Sequence, residues 1–301
     1  MGFFDKLVKI LKDLWKKINP TDSPDSPDLP DPPDPPDPPD PPNDDDDLPE
    51  TPSSLWPQRA SFLFDNAGTR AMNMLSYNAS ESQVKTVMNR QKKNGDKTVW
   101  LFFSNQGDGK PAPTSMYKAL FGGDVSTDRI TIMRNRLDMY RDNGFKVVAW
   151  LTADDSSAIS NASLATHKKH ISDVMKYFDD QIDAYCVGLE MNEDNRKNMA
   201  KNLIAYAKSL SKKDIGVHLT NEKWDEAIQW GADTLYYQTG FGKSAAKVKA
   251  ECASVIGKLN GRCKMVLAEY SKSSDTKSAR EIGDMAMTVK GCMGTGNGRS
   301  K

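Results

Sequence analysis

Residues 184–220, AYCVGLEMNEDNRKNMAKNLIAYAKSLSKKDIGVHLT, hold two short apolar runs, 184–190 and 214–220, on either side of a stretch of helical character over 193–211. Runs of seven residues suit buried strands, and the stretch between them is long enough to carry the chain from the end of one strand back to the start of the next. That connection makes the two strands parallel, because antiparallel neighbours need only a hairpin. The unit repeats in both directions. Further strand-like runs lie at 61–65, 97–103, 145–151, 233–238, 263–269 and 288–292, and further helical stretches at 79–93, 127–142, 163–180, 222–230, 243–259 and 275–287. Eight strands alternating with seven helices predict an α/β fold, a (β/α)8 TIM-like barrel rather than an open doubly wound sheet. No GxGxxG follows the first strand, so the fingerprint of a dinucleotide site is missing. No helical pattern follows the eighth strand, so either the barrel tolerates a gap there, or residues 49–60 or the N-terminal amphipathic helix cover that face.

Ahead of the barrel lie two segments of different character. Residues 1–19 predict a basic amphipathic helix: Phe4, Leu7, Leu11, Leu14 and Ile18 recur at three- and four-residue steps, lysines occupy the other side, and Pro20 ends the pattern. Residues 20–57 hold 15 of the chain's 17 prolines and a run of Asp-Pro-Pro repeats. Proline's fixed φ and missing N–H prevent helix and sheet, and the like charges repel, so this segment reads as a disordered, extended linker. The barrel domain then spans 58–301.

The formal net charge of zero conceals this division. Residues 1–18 carry five Lys and two Asp (+3), residues 19–58 carry twelve acidic and no basic side chains (−12), and the rest holds 36 basic against 27 acidic residues (+9). Four cysteines without a CxxC pair or a short Cys/His cluster exclude a disulfide scaffold and the usual zinc spacings, and no motif calls for a metal or cofactor. Secretory signal and membrane-spanning patterns are also missing, which predicts synthesis in the cytoplasm, with the helix holding the chain to a particle or surface. An assembly of proteins or an anionic membrane surface would each accept residues 3–18. No stripe of basic and aromatic residues indicates specific nucleic-acid binding.

In a barrel of this kind the reactive groups project from the C-terminal ends of the strands. Those ends read Asp65-Asn66, Ser104-Asn105, Asp154-Asp155, Glu190 with Asn192-Glu193, Thr220-Asn221, Gln238, Glu269-Tyr270 and Gly294-Thr295. Alternation turns Cys186, Gly188 and Glu190 toward the axis on the fourth strand, and Gly216, His218 and Thr220 on the fifth. If Glu269 also turns inward, glutamates from the fourth and seventh strands face each other, with His218 and Gln238 between them in the circuit. Two carboxylates about one bond suit glycoside hydrolysis, in which one protonates the leaving oxygen and the other attacks the anomeric carbon or activates water.

With these residues in place, the chain resembles the clan of retaining TIM-barrel glycoside hydrolases. Gly188-Leu189-Glu190-Met191-Asn192-Glu193 is similar to that clan's fourth-strand motif and Val266-Leu267-Ala268-Glu269-Tyr270 to its seventh-strand motif. The resemblance implies Glu193 as acid/base, Asn192 holding a sugar 2-hydroxyl, Glu269 as nucleophile and Tyr236 or Tyr237 steadying it. A fainter resemblance to chitinase-type barrels, carried by Asp183 and Glu190, implies Glu190 as the acid, so both glutamates stand as candidates. Asp65, Asn105, His218 and Gln238 complete the candidate substrate-binding set. The expected partner is a polysaccharide or cell-wall glycan, anionic if the basic body selects it. The rival expectation is a non-catalytic barrel that binds glycan or serves a surface or virion as a structural appendage.

Overall fold

The computed structural model describes residues 55–62, 64–65, 72–73, 80–103, 127–152, 157–220, 223–271 and 277–297. The chain divides into Met1–Pro49 and Glu50–Lys301, and every described residue belongs to the second unit. The expected helix over 1–19 and nearly all of the linker over 20–57 lie outside the described residues.

Eight parallel strands close into a barrel: β1 (Gln58–Phe62), β2 (Thr98–Phe102), β3 (Lys146–Trp150), β4 (Ala184–Cys186), β5 (Asp214–Leu219), β6 (Thr234–Gln238), β7 (Lys264–Ala268) and β8 (Cys292–Asn297). Closure comes from β1, which pairs with β2 through Ala60↔Thr98 and with β8 through Arg59↔Thr295. The described helices are α1 (Glu81–Asn94), α2 (Thr127–Asp142), α3 (Ser157–Ser160), α4 (Leu164–Phe178), α5 (Ala200–Leu210), α6 (Trp224–Gln229), α7 (Ala245–Leu259) and α8 (Lys277–Met287). Local chemistry sets several of their starts. Ser80 and Gln83 form a reciprocal capping box on α1, and Ser163 and Ser244 cap α4 and α7 by accepting from backbone N–H groups three residues on.

Strand alternation divides the core in two. Val99, Leu101, Val147, Tyr185, Ile215, Val217, Leu235, Tyr237 and Leu267 pack outward against the helices, while Trp100, Phe102, Val148, Trp150, Ala184, Cys186, Tyr236, Val266 and Ala268 fill the axis. Trp150 is the hub of the axial group, with ring centroids 5.2 Å from Trp100, 5.4 Å from Phe102 and 5.2 Å from Tyr236. An interior of fixed diameter holds two indoles only if other positions carry almost nothing. Glycine meets that demand. A Cβ added at Gly296 would lie 2.0 Å from the Trp100 ring, and one at Gly216 would lie 2.6 Å from the Tyr236 ring.

This accounts for a correction at the eighth strand. The run over 288–292 is a turn leading into Cys292–Asn297, and the Gly-rich stretch is itself the strand, with Gly296 against the Trp100 ring and Gly294 against Gln58. The first strand is also displaced: β1 ends at Phe62, and Phe64–Asp65 pairs antiparallel with Met72–Asn73 in a separate short ribbon. Leu55 and Trp56 pack against the axial cluster, and the Lys264 ammonium lies 5.8 Å above the Trp56 ring. β4 is shorter than its apolar run, ending at Cys186, and Leu189 joins the axial cluster instead of facing the helices.

Gly296→Ala should therefore destabilise the barrel by about 1–3 kcal/mol, since neither the indole nor the strand has room to move. Gly257→Ala, on the open face of α7 with nothing near its added methyl, is the matched control. Urea midpoints of the two variants measure the contrast, and equal midpoints would overturn the packing argument.

Candidate active site

Among the described residues three non-glycine positions have positive φ: Asn260, which closes α7, and the two glutamates Glu190 (φ 48°) and Glu269 (φ 52°). A left-handed residue with a side chain costs about 1–2 kcal/mol and persists only where its surroundings enforce it. Both glutamates lie at the C-terminal mouth, Glu269 directly after β7 and Glu190 four residues beyond β4.

His218 joins them. It projects to the axis from β5, is fully buried, and packs against Trp150 with centroids 5.3 Å apart and ring planes inclined by 54°. The Glu190 backbone N–H donates to His218 Nδ1 at 3.0 Å, and His218 Nε2 lies 3.7 Å from Glu269 Oε2. A ring nitrogen that accepts cannot carry the proton, so the neutral imidazole presents Nε2–H toward the Glu269 carboxylate. Burial, followed by the charge of Arg196, lowers the His218 pKa to about 3 and keeps the ring neutral at ordinary pH.

The fourth-strand loop rests on a buried ion pair that sequence reasoning missed. Arg196, in the 3-10 turn Asn195–Asn198, has a completely buried side chain; its Nε contacts both Asp194 carboxylate oxygens at 2.9 and 2.8 Å. Its Nη2 donates to the Leu189 carbonyl at 2.9 Å, and its Nη1 to the Thr152 hydroxyl at 3.1 Å. The Thr152 hydroxyl in turn donates to the Val187 carbonyl at 2.9 Å. In the sequence Arg196 lies among Lys197, Lys201 and polar neighbours, and nothing marked it as buried.

The other candidate residues fall as follows. Glu193 is exposed and accepts from the Thr220 hydroxyl. Asn192 uses both ends of its amide on Thr220, accepting from its backbone N–H at 3.0 Å and donating to its carbonyl and hydroxyl oxygens at 3.2 and 3.1 Å. Gln238 ends β6 on the axial side beside Ala268, and its side-chain carbonyl is buried with no partner among the described residues.

The tyrosines require correction. Tyr237 turns to the helical layer, where its hydroxyl donates to Glu251 at 2.6 Å. Tyr236 faces the axis, but its hydroxyl lies toward Gln58 and Asp214 at the opposite end of the barrel from Glu269. Asp65 is not at the end of β1 but in the short ribbon, and neither its side chain nor Asn105 is among the described residues.

A second feature unmarked in the sequence is the loop after β6. Glu251 on α7 accepts from Tyr237, from the Thr239 hydroxyl at 2.9 Å and from the Lys243 ammonium at 2.6 Å, so both feet of the loop stand on one carboxylate. Between them Phe241 is 45% exposed on the rim, flanked by Gly240 and Gly242. Among the described residues no group of three His, Cys, Asp or Glu is placed to hold a metal ion.

The barrel is shared with solved glycoside hydrolases. A family 113 β-1,4-mannanase superposes with a TM-score of 0.53 at 11% identity, over 80% of this chain and 87% of that one. A family 5 glycoside hydrolase from Bacteroides vulgatus gives 0.59 at 10% identity over 80% of this chain; the match spans 58% of that longer chain. A family 5 enzyme from Streptomyces cattleya in complex with Manβ1-4GlcNAc gives 0.54 at 9% identity, over 81% and 71%. At these identities the likeness is one of architecture: the chain has the (β/α)8 barrel found in these enzymes. No protein family and no curated protein matches its sequence.

The chain's three histidines predict its acid response. Burial, as the largest cause, lowers His167, His170 and His218 from 6.5 to about 4, 3 and 3. Their folded pKa values lie below the unfolded value, so below pH 6.5 the unfolded chain takes up protons that the folded chain refuses, and stability falls as pH drops through 6.5 toward 4. Urea unfolding between pH 7.5 and 4.5 should show that decline, and His170→Gln should make it shallower by up to ~1.4 kcal/mol per pH unit. A decline of unchanged steepness in the variant would overturn the assignment.

Proposed function

We propose that the chain is a retaining glycosidase that cleaves a polysaccharide with Glu269 as nucleophile and Glu190 as acid and base. The observation that carries this reading is that one buried imidazole at the mouth of a closed barrel accepts from the Glu190 backbone N–H on one side and faces the Glu269 carboxylate at 3.7 Å on the other. The glycoside hydrolases that share the architecture support it. In the first step the Glu269 carboxylate attacks the anomeric carbon while the Glu190 carboxyl gives its proton to the departing glycosidic oxygen, leaving a glycosyl ester on Glu269. In the second, Glu190 takes a proton from water, the resulting hydroxide attacks the same carbon, and the Glu269 carboxylate is released. Glu190 is preferred to Glu193 because its own backbone contacts the histidine that faces Glu269, whereas Glu193 is exposed and engaged by Thr220.

The body charge of +9 favours an anionic or cell-wall glycan, and the exposed Phe241 ring offers a flat apolar face to a sugar on the rim. Residues 1–19 and 20–57 would then hold the barrel away from a particle, a protein assembly or an anionic membrane surface.

Purified chain should release sugar from one or more of β-mannan, xylan, β-glucan and peptidoglycan with retention at the anomeric carbon. Glu269→Gln should reduce kcat by at least about a thousandfold while leaving the fold and glycan binding intact. Wild-type turnover that survives Glu269→Gln would overturn the nucleophile. Binding to a glycan without turnover, unchanged in the variant, would make the barrel a glycan-binding module. Phe241→Ala should raise KM for the polymer about five- to tenfold, the equivalent of ~1–1.4 kcal/mol of apolar contact, with little change toward a small aryl glycoside; equal effects on both substrates would remove Phe241 from the binding face.

A further inference from the structure

We infer that the Leu189–Glu190 peptide, gripped at its carbonyl by Arg196 and at its N–H by His218, is a positioning unit that sets both glutamates at once. It holds Glu190 left-handed at the mouth and locks His218 in the tautomer that faces Glu269. The inference rests on the glycosidase reading for its catalytic consequence, though not for its geometry.

The two contacts belong to one peptide plane. Arg196 Nη2 donates to the Leu189 oxygen at 2.9 Å, and the N–H of the same peptide unit, that of Glu190, donates to His218 Nδ1 at 3.0 Å. In a trans peptide the C=O and N–H point in opposite directions, so Arg196 and His218 hold the plane from opposite sides and leave it little freedom to turn. The φ of 48° at Glu190 describes rotation about the bond that leads out of this fixed plane. A cation on the carbonyl also polarises the amide and makes its N–H a better donor. That strengthened bond keeps Nδ1 as an acceptor, and the ring proton stays on Nε2, 3.7 Å from Glu269 Oε2.

A fully buried guanidinium is costly unless its donors are engaged, and here Asp194, Leu189 and Thr152 engage them. Thr152, just beyond β3, passes the restraint to the Val187 carbonyl, so the third strand holds the fourth-strand loop as well. The other groups around His218 are the Trp150 ring, the Tyr236 strand neighbour and the un-ionised Cys186 thiol, whose pKa burial raises. None of these competes for the two ring nitrogens.

The test is imidazole 15N–1H correlation NMR on the full chain, where three histidines give three resolvable rings and His218→Gln identifies one of them. Wild type should show His218 as a single neutral Nε2–H tautomer throughout pH 5–8; an Nδ1–H tautomer there overturns the inference whatever the variants do. Arg196→Lys keeps a buried cation but cannot grip Asp194, Thr152 and Leu189 together, and Asp194→Asn loosens the guanidinium from the other side. Whichever of the two variants retains cooperative unfolding should show His218 in mixed tautomers or titrating at higher pH. An unchanged His218 spectrum in it assigns Arg196 a purely structural role and overturns the inference.

On the substrate that wild type cleaves, the same variant should lose about 10- to 100-fold in kcat, with KM within about twofold and the acid limb of the pH profile moved upward. A raised KM with unchanged kcat would overturn the positioning role. If wild type cleaves nothing, the glycosidase reading fails while the NMR result still decides the geometry.

Discussion

The structure depends on a conflict of volume at the barrel axis. Closing eight strands through β1 fixes the interior diameter, and this sequence places Trp100, Phe102, Trp150 and Tyr236 inside it. Those rings fit because Gly216 and Gly296 give up their side chains to them. The aromatic plug then supports what lies above it: His218 packs at a tilt against Trp150, and its two nitrogens face the Glu190 N–H beyond the fourth strand and the Glu269 carboxylate after the seventh. A core usually tolerates exchange of one apolar residue for another of similar size, but here the glycines, the indoles and the imidazole succeed one another along a single axis, so a change at any level is felt at the mouth.

Two forms of strain meet at that mouth. Glu190 and Glu269 each adopt a backbone conformation that residues with side chains avoid, and a complete guanidinium is buried beside one of them. Both features carry a free-energy cost, the left-handed backbone in sterics and the guanidinium in lost hydration. Their concentration at the strand ends, with the closed ring beneath them, is the pattern of a scaffold whose stability supports an unfavourable local geometry. The short β4 belongs to the same account. Beyond Cys186 the strand ends, and while the Gly188 carbonyl still accepts from the His218 N–H, the Val187 and Leu189 carbonyls are taken by the side chains of Thr152 and Arg196.

Much of the architecture was legible because alternation and helical spacing are local properties. The runs at 97–103, 145–151, 214–220 and 263–269 each contain the strand observed, and 127–142 is reproduced to the residue. Glu190 and Glu269 stood out because they end apolar runs, which needs no knowledge of partners. The failures share another physical origin. Cys292–Asn297 looks like a loop because glycine lacks strand propensity, and it becomes a strand only opposite the Trp100 indole, nearly 200 residues away in sequence. The resemblance offered Tyr236 or Tyr237 as the residue steadying Glu269, but the Tyr237 phenol bonds to Glu251, and nothing in the helical stretch over 243–259 showed that this carboxylate would face it. Arg196 was invisible because its burial depends on Leu189, Thr152 and Asp194 converging on it, and the stretch of helical character over 193–211 gave no sign that its first turn would be a 3-10 turn holding a buried guanidinium.

Glu251 has a consequence for how such a barrel diversifies. Because Tyr237, Thr239 and Lys243 all terminate on that one carboxylate, the short span carrying Phe241 is mechanically insulated from the strand before it and the helix after it. Insertions or exchanges confined to that span leave its abutments in place, so the rim can be re-tooled for a different guest while the chassis is inherited intact. For an engineer the same insulation marks this as the segment to randomise first.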